Sequence, residues 1–466
     1  MTAPTASTTV EPEALAKLSW REKISYGMGD FGFNLYWTNI SAFLLFFYTD
    51  VFGITAAAAG FMMTFIKLVN AFTDPLIGAL SDRTKTRHGK FRPFLLWFAA
   101  PLTVSAVLVY TTPNLDGDGK LIWAYCTYLF MMVSYTCINI PYGALSGVLT
   151  AEPQERVTIN AVRFVGGFTG GTLVTWATPK LVLWLGDGNT QTGWQLAMVF
   201  WGICATVLFV NTFLNTKERV EPISEKQSKV VEDLKDLCGN GPWLVLFFLA
   251  LVIMITINIR TASAIYYTKY VAEPSYLLSD FFLPSYLIAS ACGAALTPFL
   301  TRFLDKKILM MVLLTLTGVF SIGFYFVPRD QPLLMLALQI GMGLALGPKS
   351  PLAFSMYADT ADYNEWRTGR RATAMTFAAA TFSQKLGTAL ATAVIGSVFA
   401  AMGYVANATQ TPDSLDGIVM LMSIIPGICA FGAAAILTFY TLDKKQLAAI
   451  QIELAERKAE QEAKHY

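Results

Sequence analysis

Apolar runs dominate the chain, and each is long enough, at about 20 residues, to cross a lipid bilayer as a helix. The runs are continuous and do not alternate apolar with polar residues in segments of about ten, so they predict helices and not the strands of a membrane barrel. The pattern predicts twelve spans, at residues 24–49, 54–80, 93–112, 121–149, 159–185, 194–214, 242–271, 276–304, 308–327, 331–358, 372–402 and 415–441.

Polar segments divide these spans evenly. The longest polar segment, residues 215–241, has six spans on each side, and the second span of each half closes on a related motif, TDPLIGALSDR or TPFLTRFLDKK. Two similar six-span halves are typical of parallel-repeat transporters, whose substrate binds between the halves near the middle of the membrane. The sequence thus predicts an all-α membrane protein with two pseudo-symmetric six-helix bundles. Its parts are a tail at 1–23, bundles at 24–214 and 242–441, a loop at 215–241 and a tail at 442–466.

Composition and charge support a membrane protein and orient it. Charged residues make up 14% of the chain, against roughly 25% in soluble proteins. The positive-inside rule assigns the loops richest in Lys and Arg to the cytoplasm. These loops lie at 83–92, 302–307, 367–371 and 444–445. We therefore expect both termini on the cytoplasmic side of a cell (inner) membrane, with lipid as a partner.

The two terminal tails are polar. Residues 1–23 contain no apolar run, so no cleavable signal peptide is expected. The C-terminal tail places Leu447, Ile450 and Leu454 on one helical face among many charges. This pattern fits either an amphipathic helix on the cytoplasmic surface or a merely solvated helix.

Several kinds of site are missing from the sequence. With two histidines, no histidine triad or zinc cluster is expected within the spans, and no GxxxxGK[ST] phosphate loop is present. No cysteine pair has metal or redox spacing. The net charge of +2 indicates no nucleic-acid partner. We expect neither an enzyme nor a metal protein, and no cofactor other than a coupling ion.

Ionisable residues inside the spans are the strongest functional signal. A charge in hydrocarbon costs about 2.5–3.5 kcal/mol, so an intramembrane acid is presumed to be functional. Asp74 is such an acid, with Lys67 two turns earlier on the same helix face and Asn70 between them. The pattern predicts an ion site at Asp74, with a structural ion pair between helices as the alternative.

Cations outnumber acids in the spans, which favours an anionic substrate such as a uronate, bound by Arg260, Lys349 or Lys385. The alternative is that one base neutralises Asp74 and that the others extend to the membrane surface. Aromatic side chains in the spans, Trp37 and Tyr266 among them, suit stacking on sugar faces as well as interface anchoring.

Five motifs resemble those of the glycoside–pentoside–hexuronide:cation symporters of the major facilitator superfamily. They are KISYGMGDFG with YTDVFG, DPLIGALSDRTKTRHGKFRPF, INIPYGAL, MYADTADYNEWRTGRRA and QKLGTA. The resemblance extends over nearly the whole chain and implies the major facilitator fold. NIPYG is similar to the glucuronide and xyloside branch of the family.

The resemblance to the melibiose permease branch implies roles for individual residues. Its two helix-two acids match Asn70 and Asp74, and its sugar acid and helix-four acid match Asn34 and Asn139. Thr136 matches a cation-site position. Its helix-eleven lysine matches Lys385, its helix-two arginine Lys67 and its helix-five arginine Arg163.

Three carboxylates of that pattern are amides in this chain. Sodium gains from carboxylate charge, so Asn70 weakens a sodium site while Asp74 is still able to carry a proton. The resemblance therefore favours a proton as coupling ion and leaves sodium open. The resemblance also favours a hexuronide or a pentoside over a galactoside as the substrate.

The expected function is cation-coupled import of a glycoside by alternating access. The ion residues are Asp74, Asn70, Thr136 and Lys385, and the substrate residues are Asn34, Trp37, Asn139, Arg163, Tyr266, Arg260 and Lys349. A cytoplasmic gate is expected from Arg83, Arg87, Arg92, Asp359, Asp362 and Arg371. The alternative is a transporter of the same fold for a lipid-like molecule or another organic anion.

Overall fold

A computed structural model of the chain describes residues 17–84, 86–150, 153–219, 237–368 and 373–443. In the C-terminal tail it describes residues 446, 447, 449, 450, 452, 453 and 456. Arg371, most of the central loop and most of the N-terminal tail lie outside the described residues.

The first half of the described chain forms six long helices. Helix α1 comprises Trp20–Ala42, Leu44–Phe46 and a π-helical turn at Phe47–Phe52. The others are α2 (Ala56–Arg83), α3 (Arg92–Trp97 and Ala99–Val109), α4 (Gly117–Leu149), α5 (Pro153–Gly186) and α6 (Thr190–Asn215).

The second half of the described chain repeats this arrangement. Helix α7 comprises Gly241–Tyr266 and, like α1, ends in a π-helical turn, here at Tyr267–Val271. The others are α8 (Tyr276–Leu300), α9 (Lys306–Tyr325), α10 (Pro332–Leu346 and Lys349–Thr368), α11 (Thr373–Ala401) and α12 (Pro412–Met422, Ile424–Ile436 and Leu437–Phe439).

Helix starts follow from local sequence. A side-chain oxygen that accepts a backbone N–H satisfies one of the free donors of the first helical turn. Asn189, Asn240, Ser275, Asp305 and Thr411 do this for α6, α7, α8, α9 and α12. The continuous apolar runs between such caps give the long helices.

Each predicted span overlaps one helix, with ends that differ by up to ten residues in either direction. Within the described residues, nine helices are long and apolar enough to cross a membrane. Helix α10 continues to Thr368, ten residues beyond the predicted end, because the polar stretch after Met356 keeps helical geometry. The described helices thus give an all-helical architecture with many spans.

The chain divides into two compact units at places that the span pattern does not show. Unit 1 comprises Met1–Asn39 and Phe72–Ser224, and unit 2 comprises Ile40–Ala71 and Glu225–Tyr466. The later part of α1 and the first part of α2 therefore pack with the second half of the chain. Each unit is described separately below.

Glycines allow close helix packing in unit 1. A Cβ at Gly166 of α5 would lie 2.3 Å from the Gly27 carbonyl oxygen of α1, and a Cβ at Gly170 would lie 2.8 Å from the carbonyl oxygen of Phe31. In membranes, small residues let helix backbones approach each other in this way. This packing brings polar side chains of α1 and α5 together.

Unit 2 has a buried apolar cluster that reaches into the C-terminal tail. It contains Leu437, Tyr440 and Leu442 together with Ile450, which is 7% exposed. The Trp366 ring N–H donates to Glu453 at 2.7 Å. These contacts favour a tail that packs on the protein over a merely solvated helix.

Candidate functional site

Helix α1 carries three half-buried polar or aromatic residues on one face of unit 1. Asp30, Asn34 and Trp37 follow each other at spacings of four and three residues, which places them on one side of the helix. The Asp30 carboxylate accepts a hydrogen bond from Arg163 Nε of α5 at 2.9 Å, with 13% and 26% of the two side chains exposed. The ion pair is thus partly sheltered from solvent.

The surroundings of this ion pair fix its geometry. The Arg163 guanidinium lies over the Tyr142 ring, 5.2 Å from its centre. The Asn34 amide donates to the Asp30 carbonyl at 2.9 Å. A Cβ at Gly167 would lie 2.5 Å from the Asp30 carboxylate and 2.9 Å from the Asn34 amide nitrogen. A Cβ at position 167 would therefore displace the tips of the Asp30 and Asn34 side chains.

Aromatic rings continue the same face toward α4. The Trp37 ring lies 5.7 Å from that of Tyr135, and the Asn139 amide donates to the Tyr135 hydroxyl at 3.3 Å. Trp37, Tyr135 and Asn139 are half-buried. Flat rings beside polar groups suit the apolar faces and hydroxyls of a sugar. Four of the predicted substrate residues, Asn34, Trp37, Asn139 and Arg163, thus belong to these two contact networks of unit 1.

Two residues of the predicted ion site are in direct contact. The Thr136 hydroxyl of α4 donates to the carboxylate of Asp74 at 3.2 Å, and Asp74 is half-buried. Asn70 is 3% exposed and lies one turn before Asp74 on α2. Carboxylate, hydroxyl and amide oxygens are ligands that hard cations accept, and a carboxylate alone can hold a proton.

Lys67, which would pair with Asp74 in the alternative interpretation, contacts α11 instead. Lys67 is 8% exposed, and its ammonium donates to the Thr392 hydroxyl of α11 at 2.8 Å. The described residues show no ion pair of Lys67. Lys385 lies half-buried on α11, seven residues before Thr392.

Two predicted substrate residues of unit 2 have buried protein partners. Arg260 is 5% exposed and donates to Gln339 Oε1 at 2.6 Å, to Ser321 and to the Met422 carbonyl. Tyr266 is fully buried, with its hydroxyl 2.9 Å from that of Thr49. These contacts favour structural roles for Arg260 and Tyr266 over the predicted contacts with substrate.

Lys349 differs from Arg260. It stands half-buried at the break within α10, where the helix restarts after Gly347 and Pro348. The described residues offer it no hydrogen bond and no ion pair. It keeps three donors for a ligand.

Two of the predicted gate residues, Asp359 and Arg92, have partners within their own units. Asp359 accepts from Lys306 at 2.7 Å in unit 2. In unit 1, Arg92 packs over the Phe213 ring at 5.0 Å, and its backbone N–H donates to Glu218 at 2.9 Å. Arg87 is exposed and Asp362 is half-buried. The Arg83 side chain and Arg371 lie outside the described residues, so the gate stays a prediction.

Sequence reasoning missed two carboxylates. Asp30 is not among the predicted site residues, yet it pairs with Arg163, which is. The Asp–x–x–x–Asn spacing on α1 was the available signal. Glu218, in the central loop, accepts backbone N–H groups of Lys90, Phe91 and Arg92 at 2.8–2.9 Å. Within the described residues, no group of three or more His, Cys, Asp or Glu is placed to hold a metal.

Comparisons with known proteins place the chain in a family. The family described as "MFS/sugar transport protein" matches residues 25–444. The chain is 37% identical to the uncharacterized symporter YnaJ of Bacillus subtilis (strain 168), over 96% of each chain. It is 35% identical to the isoprimeverose transporter of Lactiplantibacillus pentosus, over 94% of this chain and 93% of that one.

The fold has solved relatives. The crystal structure of a D-xylose-proton symporter superposes with a TM-score of 0.68 at 14% identity, over 91% of this chain and 98% of that one. This likeness shows the major facilitator fold. With the helices described above and the family match over almost the whole length, the chain belongs to the MFS/sugar transport protein family of membrane transporters and is not an enzyme.

Proposed function

We propose that the protein is a cation-coupled symporter of a glycoside. The observation that carries this proposal is the half-buried face of α1, α4 and α5. These helices carry both the Asp30–Arg163 ion pair and the Trp37–Tyr135–Asn139 group. Charged hydrogen-bonding groups and flat rings together suit a polyol. The relatives, a symporter and an isoprimeverose transporter, agree with this proposal.

Asp74 binds the coupling ion in this proposal. It is a half-buried acid within α2 and takes a hydrogen bond from Thr136. Proton binding neutralises the carboxylate, and sodium binding uses the oxygens of Asp74, Thr136 and Asn70. Lys385 and Asn139 transmit ion occupancy to the substrate. Because the basic loops face the cytoplasm by the positive-inside rule, both termini lie inside.

The substrate is a hexuronide or a pentoside in this proposal. Arg163 and Lys349 are the cationic groups that support a carboxylate-bearing sugar, because both are half-buried and Lys349 lacks a protein partner in the described chain. A carboxylate would gain most at such desolvated cations. A pentoside would use the Trp37 and Tyr135 rings and the amides instead.

The test uses purified protein in liposomes. Uptake of a labelled glucuronide and a labelled xyloside is measured with a sodium gradient, with a proton gradient and with neither. We expect accumulation driven by one of the two gradients. Uptake of an organic anion without a sugar, and of neither glycoside, would contradict the glycoside proposal and favour the non-sugar alternative.

Substitution of Asp74 tests the ion site in the same liposomes. Asp74→Asn keeps the shape and the contact with Thr136 but removes the titratable group, so we expect accumulation to fall by about a hundredfold or more while exchange of internal for external substrate persists. Asp118→Asn, at an exposed acid in the first turn of α4, is the matched control and leaves accumulation unchanged. Normal accumulation by Asp74→Asn would refute the ion role.

A further inference from the structure

A cavity of about 680 Å³ lies within unit 2, where α9 begins and α12 ends. This volume is within the range of small-molecule sites, roughly 300–1,000 Å³. The turn between α8 and α9, the second part of α10 and the segment after α12 form its walls. Its polar and charged lining residues include Arg302, Asp305, Lys306, Asp359, Tyr440 and Asp443. None of the proposed substrate and ion residues is among the described residues that line it.

Side-chain contacts hold the walls of this cavity together. The Lys306 ammonium of α9 donates to the Asp359 carboxylate of α10 at 2.7 Å. The Lys307 ammonium donates to the Tyr440 carbonyl at 2.6 Å, which joins α9 to the segment after α12. Tyr440 also belongs to the buried apolar cluster of unit 2. The cavity is therefore framed by parts of the protein that are fixed to each other.

The acids of the cavity already have partners. Asp359 pairs with Lys306. Asp305 accepts a backbone N–H of the first turn of α9 at 2.9 Å. Asp443 accepts a backbone N–H of the tail, also within hydrogen-bond distance, at 2.7 Å. A cationic ligand would have to compete with these bonds, so the lining does not favour one.

Two donors of the cavity have no partner among the described residues. Tyr440 is 3% exposed, and its hydroxyl makes no hydrogen bond there. The charges of Asp359 and Asp305 act on this hydroxyl, which places it beside two acids that line the cavity. Arg302 is exposed, and the described chain offers its guanidinium neither an ion pair nor a hydrogen bond. A buried hydroxyl without a partner is unfavourable, so this lining favours a ligand with acceptor oxygens.

The start of α9 adds positive charge to the cavity. This helix runs from Lys306 to Tyr325, and the N-terminus of a helix favours anions. Three basic side chains lie at this end, those of Arg302, Lys306 and Lys307. A phosphate group has several acceptor oxygens, and its geometry matches the paired donors of a guanidinium. The charge and the free donors thus point to the same kind of ligand.

We propose that this cavity is a binding site for a phosphate group, held by Arg302, by the Tyr440 hydroxyl and by the start of α9. The apolar spans Lys306–Tyr325 and Pro412–Phe439 begin and end at the cavity, which is the depth at which lipid headgroups lie. A phospholipid headgroup and a phosphate compound in solution share the chemistry that the site recognises. The experiment below separates these two sources.

Binding is measured as a rise in the melting temperature of the purified full chain in detergent. The lipid probe is dioctanoyl phosphatidylglycerol, with dioctanoylglycerol, which lacks the phosphate, as its control. The soluble probe is inorganic phosphate at constant ionic strength. We expect one of the phosphate probes, at about a hundred times its Kd, to raise the melting temperature by about 3 °C or more. A rise with phosphatidylglycerol alone indicates a lipid ligand, and a rise with inorganic phosphate indicates a soluble one.

Arg302→Met and Tyr440→Phe test where the probe binds. Each removes a donor that has no partner in the described chain, so both variants should melt as the wild type does without a probe. Each should raise the Kd for the probe about tenfold, the effect of losing one hydrogen bond to a charged group. Arg21→Met, at an exposed arginine of α1, is the matched control and should respond to the probe as the wild type does.

Three results would overturn the proposal. The first is the absence of a rise with either phosphate probe. The second is an equal rise with dioctanoylglycerol, since the acyl chains would then account for the binding. The third is an unchanged Kd in both Arg302→Met and Tyr440→Phe, since the phosphate would then bind elsewhere on the protein.

Discussion

Arg163 and Arg260 show how differently two similar residues are used in the two units. Both are arginines within apolar helices, and both were predicted to contact substrate. Arg163 in unit 1 pairs with a carboxylate and keeps 26% of its side chain exposed. Arg260 in unit 2 is 5% exposed and faces neutral acceptors, with its guanidinium 5.3 Å from the centre of the Phe324 ring.

The difference supports the proposed substrate contact of Arg163 and a structural role for Arg260. A guanidinium whose donors all bond to protein acceptors stabilises the fold. A ligand that bound it would have to displace those acceptors and leave them without a donor. A guanidinium that keeps a quarter of its surface exposed beside a carboxylate partner, as Arg163 does, suits a ligand carboxylate or sugar hydroxyls better. The exposed fraction of the side chain and its hydrogen-bond partners thus distinguish Arg163 from Arg260, which residue type alone does not.

Among the residues of this comparison, Arg163 has the largest expected effect. Arg163→Met should lower glycoside uptake about thirtyfold, because it removes the fork of donors and leaves Asp30 without its cation, a loss of about 2 kcal/mol. Uptake into liposomes per folded transporter measures it. Arg21→Met, at an exposed arginine of α1, is the matched control and should keep uptake normal.

A paired substitution separates function from folding at this site. Asp30→Asn combined with Arg163→Met removes both charges, so neither remains buried alone, and the melting temperature should recover toward that of the wild type. We expect uptake to stay low in the double variant. Recovered uptake would show that the ion pair only supports the structure, and the contrast with Arg260 would disappear.

The fold was predictable because its signals are continuous in sequence. Apolar runs give the helices, and the polar segment at 215–241 gives the six-plus-six plan. The boundary between the compact units was not predictable, because it depends on backbone contacts such as Gly60 with Gly396. A glycine in a span shows that close approach is allowed and does not show which helix approaches.

The candidate site was predictable only in part. Asn34, Trp37, Asn139 and Arg163 could be named from motif matches, and the contacts of each arise in unit 1. Asp30 and Lys306 acquire their roles from partners 53 or more residues away in sequence. The type and position of a residue in the sequence do not show which distant residue it contacts. Arg260 and Arg163 therefore had the same predicted role, contact with substrate.

The second-largest expected effect in this comparison is a loss of stability when Arg260 is replaced. Arg260→Met leaves Gln339, Ser321 and the Met422 carbonyl without their donor inside a buried part of unit 2, at about 1–3 kcal/mol for each buried unsatisfied group. We expect the melting temperature in detergent to fall by about 5 °C or more. Uptake per folded transporter should stay within about twofold of the wild type, since no substrate contact is lost.

Arg302→Met, at an exposed arginine beyond α8, is the control for loss of a positive charge and should melt as the wild type does. The reverse pattern at Arg260, with normal melting and a raised KM for a glucuronide, would place this arginine in the substrate site. The two arginines would then be equivalent, and the contrast between the units would fail.

Tyr266 is expected to show the smallest effect and offers the finest test of the contrast. Tyr266→Phe removes one hydroxyl and keeps the ring against Phe399, whose centre is 4.8 Å away. Thr49 still donates to Asp50 at 2.7 Å, so the cost should be about 1 kcal/mol, seen as a fall of roughly 2–4 °C in melting temperature. If Tyr266 instead holds a sugar hydroxyl, the variant would melt normally and its KM for a neutral glycoside would rise about fivefold or more. Because the ring is buried on all sides, we expect the small loss of stability with an unchanged KM, which would keep the substrate face on α1, α4 and α5.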